Sequence, residues 1–151
     1  MELAGAGGGL PGRLDVQQFA NTPSGGSRAK SFSDEISPND VVPYRPSSSP
    51  LENHHGIMDV WAKHNVPNYV SRGSHTPTVA LTKDAHNATK VVYRQWLYEK
   101  TGKKVGGKVD WESVSPQAIQ KLTEDMFDAA NVPQETRREY YNVFNQYIYR
   151  E

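Results

Sequence analysis

In Pro77-Thr78-Val79-Ala80-Leu81-Thr82-Lys83-Asp84-Ala85-His86 a short apolar run gives way within one residue to a helix start. Pro77 to Leu81 has the length and character of a short strand. Thr82 is an N-cap residue, and helical spacing continues from about Lys83 to Lys100, where Thr101-Gly102 supplies a stop. Along that helix His86, Lys90, Tyr93 and Leu97 share one stripe, and Ala85, Ala88, Val92 and Trp96 form the adjoining apolar one. His86 therefore sits in the first turn at the edge of the buried face, where it can reach a neighbouring hairpin.

Upstream lies Glu52-Asn53-His54-His55-Gly56-Ile57, and all five histidines of the chain fall between residues 54 and 86. Histidine is the commonest metal-ligand side chain and a general base at neutral pH, so this concentration points to a metal-assisted site. Between the two segments, residues 57–64 place Ile57, Val60, Trp61 and His64 at helical spacing, stopped by Asn65-Val66-Pro67, and residues 68–76 read as a loop. His64 is expected to be a partly buried helix residue and His75 an exposed loop residue.

Downstream the pattern is helical. Lys100, Lys103, Lys104 and Lys108, interspersed with Gly102, Gly106 and Gly107, form a loop suited to phosphate contact or merely to solubility. Ser115-Pro116 is an N-cap followed by proline at the first helical position, opening a helix to about Ala130. Asn131-Val132-Pro133 breaks it before a last helix to about Tyr149. Tyr140, Tyr141, Phe144, Tyr147 and Ile148 make an aromatic stripe on that helix, which is assigned to packing.

The first 50 residues contain 7 Gly, 8 Ser and 6 Pro and little periodic apolar sequence, so residues 1–50 read as a flexible leader or linker and residues 51–151 as the folded domain. Val41-Val42-Pro43-Tyr44 could lie across the domain surface, but disorder is the expectation there too. All three tryptophans and seven of the eight tyrosines lie in the folded part, enough for a modest core. The chain has no cysteine, which excludes disulfides, a thiol nucleophile and cysteine-ligated zinc. No run approaches the roughly 20 apolar residues of a membrane span, and the start lacks the apolar core of a secretory signal. Export, if it occurs, is expected as part of something larger. The formal net charge is zero, yet residues 51–110 carry nine Lys/Arg against five Asp/Glu. That excess suits a polyanionic substrate and is also compatible with ordinary surface charge.

The paired histidines, a strand, a capped helix and a first-turn histidine together resemble the HNH/endonuclease VII superfamily. The greatest similarity is to C-terminal toxin domains of bacterial polymorphic toxins named for the residue before a paired histidine, the SHH-signature group, over roughly residues 51–149. The resemblance implies an α+β, mostly helical fold. In it a β-hairpin and helix form a ββα-metal (His-Me finger) site around one divalent cation, with additional C-terminal helices. It implies His55 as general base, with the reverse assignment to His54 left open, and His54 and His86 as metal ligands. Relatives place another ligand four residues beyond the helix histidine, where this chain has Lys90, which cannot ligate when protonated. Asn87, Asp84, Glu52 or water could take that place, around Mg²⁺ first and Zn²⁺, Mn²⁺ or Ni²⁺ as alternatives. Lys90, Arg94 and Arg72 are the candidate phosphate contacts.

Two function classes follow. One is a metal-dependent endonuclease, a DNase with RNase as the variant. It would be delivered by a secretion system to the target-cell cytoplasm as the tip of a larger carrier polypeptide and neutralised in the producer by an immunity protein. The other is a non-enzymatic module in which the histidines hold a structural zinc or merely pack.

Overall fold

A computed structural model describes residues 36–45, 50–103 and 105–149. Residues 1–35 and 46–49 of the expected leader, and Lys104 of the basic loop, lie outside the described residues. The fold is α+β: a three-stranded antiparallel sheet in the order β1-β3-β2 and four helices.

The stretch Pro77–Leu81 is the middle strand, β3, and every residue in it is buried. It pairs on one side with β2 (Glu52–His54), placing Glu52 opposite Leu81 and His54 opposite Val79. On the other side it pairs with β1 (Val41–Pro43), with Val41 also opposite Val79. The expectation that Val41-Val42-Pro43-Tyr44 is unpacked is corrected here. Val41 and Val42 are 2% and 0% exposed, because a middle strand with two free edges gains a second ladder and a second set of buried side chains from this fragment. The sheet therefore extends upstream of residue 51. The expected hairpin is also looser than a tight turn: residues 55–76 connect β2 to β3 and contain α1 (Asp59–Asn65).

Helix α2 (Lys83–Thr101) begins directly after β3. Thr82 Oγ1 accepts from the Ala85 amide at 3.2 Å, and the helix ends at Gly102 in the left-handed conformation, φ 78°. Helix α3 (Pro116–Ala129) has Ser115 as its cap, accepting from the Ala118 amide at 3.0 Å, and α4 (Gln134–Ile148) follows Pro133. α3 packs along α2, and α4 lies against β3 and β1. Trp61, Ile119, Leu122, Met126, Phe127, Tyr140 and Tyr141 fill the core, so the stripe on α4 is packing, as expected. Trp61 also donates from Nε1 to Val114 O at 2.8 Å, which settles its one polar atom. Trp96 and Trp111 are half-buried at the core's margin. His75 is exposed as expected; His64, expected to be partly buried, is exposed instead, its Nδ1 2.9 Å from Val60 O. No helix among the described residues is long and apolar enough to cross a membrane.

Gly56, directly after the histidine pair, is a close-approach position. A Cβ there would lie 2.7 Å from Phe127 Cζ and 2.9 Å from the Tyr140 ring. Both rings are fully buried and cannot yield cheaply. Gly56→Ala is expected to lower stability by about 1–3 kcal/mol, measured as a shift of the denaturation midpoint with unchanged slope.

Candidate active site

Three elements meet at the site: the end of β2, the first turns of α2, and the loop 69–76 with the start of α1. His54 is the last residue of β2 and 4% exposed. Its ring meets His86 edge-on at 5.6 Å and Phe127 at 5.9 Å, and its Nε2 has no hydrogen-bond partner among the described residues. Burial, with lesser contributions from His86 and His55, pulls its pKa down to about 3, so the imidazole is neutral.

His55 follows the strand rather than continuing it, so strand alternation does not send it to the opposite face. Both histidines line one pocket of about 490 Å³. His55 Nε2 lies 3.0 Å from Thr76 Oγ1. That hydroxyl donates its own hydrogen to Gly73 O at 2.8 Å, so it can only accept from His55. The proton of neutral His55 is thereby assigned to Nε2 and the lone pair to Nδ1. Burial lowers the His55 pKa to about 4, while Asp59, with Oδ1 3.7 Å from Nε2, pulls the other way. Burial pushes the Asp59 carboxyl up. Hydrogen bonds from Ser71, the Arg72 amide and Tyr69 outweigh that effect and hold it below its ordinary value.

His86 is paired with Glu52, Nδ1 to Oε1 at 2.6 Å. Register explains the contact: Glu52 sits opposite Leu81, the residue before the α2 cap, so the first helical turn returns over it. A carboxylate can only accept, so His86 Nδ1 is the donor and Nε2 is the ring nitrogen left over. This hydrogen bond, above all, keeps the Glu52 carboxyl below its usual range.

Arg72 and Lys90 line the same pocket. The Arg72 guanidinium donates to Tyr44 Oη at 2.9 Å, and Lys90 has no carboxylate within 4 Å among the described residues. The Tyr44 ring in turn lies 4.9 Å from the His55 ring. Arg72 adopts φ 54°, a conformation uncommon for a side-chain-bearing residue, and its amide is held by Asp59 Oδ1 at 2.8 Å.

His54, His55, His86, Lys90 and Arg72 are therefore brought together. Asn87, Asp84 and Arg94 are exposed on α2 and outside the pocket lining, because one residue along a helix is a turn of about 100°. Among the described residues no group of three His, Asp or Glu side chains is arranged to hold a metal ion. Tyr44, Asp59 and Thr76 were not legible as site residues. Asp59, four residues beyond His55 at a helix start, carried a weak signal; the other two carried none.

Fold and site together define a small α+β domain with a histidine-lined pocket carrying two cations. A family model described as HNH/Endo VII superfamily toxin with a SHH signature matches residues 48–149. The chain belongs to this family of nuclease-superfamily toxins. No solved structure matches the chain. The residue ahead of the histidine pair is Asn53, whose Oδ1 accepts the Arg45 amide at 2.8 Å, so the strand edge rather than the pocket takes up this side chain's oxygen.

Proposed function

We propose that the domain is a metal-dependent endonuclease acting on DNA as an antibacterial effector. The reading rests on one observation above others: a single pocket brings together the imidazoles of His54, His55 and His86 and two cations, Arg72 and Lys90, that no carboxylate among the described residues pairs with. His55 is the general base. Its Nδ1 takes a proton from water, the resulting hydroxide attacks phosphorus, and the P–O bond to the leaving sugar oxygen breaks, that oxygen taking a proton from solvent and His55 later returning its own to solvent. Thr76 and Asp59 face the opposite side of the ring and stabilise the imidazolium that forms. Lys90 and Arg72 hold the phosphate, Lys90 standing where a further ligand would otherwise be.

His54 and His86 are the residues that would hold a divalent cation, which would supply charge stabilisation at the phosphate and leaving oxygen. The fit is supported by the unsatisfied buried Nε2 of His54 and by a neighbouring His86 whose Nδ1 is already taken. Glu52 is then an orienting partner of His86 instead of a ligand. Two imidazoles suit Zn²⁺ or Ni²⁺ better than Mg²⁺ or Mn²⁺, which favour oxygen. Carriage by a larger polypeptide, delivery to the target-cell cytoplasm and a cognate immunity protein complete the reading.

Supercoiled plasmid and a structured RNA, each incubated with the full chain and Zn²⁺, Ni²⁺, Mn²⁺ or Mg²⁺, provide the test. Plasmid cleavage abolished by EDTA supports the proposal. Cleavage of RNA alone replaces the substrate, and neither being cut under any metal overturns it. Glu52→Gln is expected to weaken metal binding about 10–100-fold, read by calorimetric titration of the metal. Thr76→Val is expected to lower kcat about tenfold with little change in KM, since His55 loses the acceptor that orients it, and Thr76→Ser should restore most of the rate.

A further inference from the structure

His86, Lys90 and Tyr93 stand at i, i+4 and i+7 on α2, and all three line the pocket. Tyr93 also belongs to a ladder of rings. It stacks on Trp96 at 6.1 Å and 22°, and Trp96 stacks on Trp111 at 5.6 Å and 16°, with Lys100 Nζ 5.7 Å from the Trp96 ring centroid. Trp96 thus has rings stacked on it from two residues, whereas Tyr93 is the terminal rung, and it is the rung at the pocket. Its hydroxyl has no hydrogen-bond partner among the described residues. All three rings pack against the margin of the core, but of the three Tyr93 alone also lines the pocket, one turn from Lys90.

We infer that Tyr93 is a stacking platform for a nucleobase beside the scissile phosphate, and that the preferred substrate is nucleic acid with an unpaired base at that point. The inference rests on the nuclease reading. A base within a duplex has both faces covered by its neighbours, so only a single strand or a locally opened one can extend the ladder. Lys90 and Lys100 flank the ladder and match the backbone of such a strand. The rigid stack behind Tyr93 fixes the ring before substrate arrives, which lowers the ordering cost of binding.

The experiment uses the full chain with His55→Ala to prevent cleavage, and fluorescence anisotropy of a labelled single-stranded DNA and of the matching duplex. Tyr93→Leu is expected to weaken single-strand binding about tenfold and duplex binding hardly at all, while Tyr93→Phe stays within about twofold of the parent. Equal losses on both probes, no loss, a Phe variant as weak as Leu, or a parent that binds neither probe would overturn the inference. If Tyr93→Leu does not fold, photocrosslinking of the parent to a 5-iodouracil single strand decides the matter: a crosslink at Tyr93 supports it and crosslinks confined elsewhere sink it. Single-strand binding through Tyr93 by a chain whose wild type cuts nothing would remove the nuclease reading and leave the platform. Cleavage insensitive to Tyr93 would do the reverse.

Discussion

His55→Ala is expected to reduce the rate of phosphodiester cleavage about 10²–10⁴-fold while leaving the domain folded. The two halves of the expectation have separate grounds. His55 is half-buried, and its ring contacts are Tyr44 and Asp59 at the pocket and the buried Thr76. Removing the ring therefore opens a solvent-reachable space instead of a core cavity, and the thermal midpoint should move little. The same substitution at His54 behaves differently. His54 packs edge-on against Phe127 inside the core, so His54→Ala should lower stability as well as activity. Melting curves and initial rates for both variants check the assignment. If His54→Ala retained the fold and lost all activity while His55→Ala kept it, the roles of base and ligand would be reversed.

The second large effect is on stability. Arg137→Met is expected to cost about 3–5 kcal/mol, which for a domain of this size lowers the thermal midpoint by ten degrees or more. Arg137 is 6% exposed and lies in α4. It donates to Glu124 and Asp128 of α3 at 2.8 Å each and, from Nε, to Val132 O at 2.9 Å. Its guanidinium also lies 5.6 Å from the centroid of Phe127, the ring that faces His54. Methionine replaces the stem but leaves Glu124, itself largely buried and shared with Tyr141, without its cation. The Glu124 share of the loss should resist added salt, because that pair is largely buried, whereas the share of the exposed Asp128 is screened. Urea denaturation of both proteins at low and high salt measures it. A loss below about 1 kcal/mol would place this pair with ordinary surface bridges.

Most of the secondary structure was legible because it rests on local rules. The strand Pro77–Leu81, the Thr82 cap with Gly102 at the other end, and the Ser115-Pro116 helix start each depend on residues within a turn or two of one another. β1 was not legible. Val41-Val42-Pro43 sits in a Gly/Ser/Pro-rich stretch, and three residues carry no periodicity; it is a strand because β3 offers it an edge. The site divides the same way. His54, His55 and His86 stand out by residue type and by position at a strand end and a helix start. Helical spacing already set Lys90 on the stripe of His86, whereas Asn87 and Arg94 were candidates by residue type alone, and the pocket takes up only Lys90 of the three.

The amino-acid sequence by itself determined the α+β class, the helix starts and stops, and the residue types able to do phosphodiester chemistry, since propensity, capping and side-chain chemistry act over a few residues. Tertiary structure decided the surroundings of each histidine. Proton positions on His55 and His86 depend on Thr76 and Glu52, 21 and 34 residues away in the chain. Burial of His54 depends on Phe127 from α3. Such contacts are brought together by the sheet register and helix packing, and no local pattern encodes them.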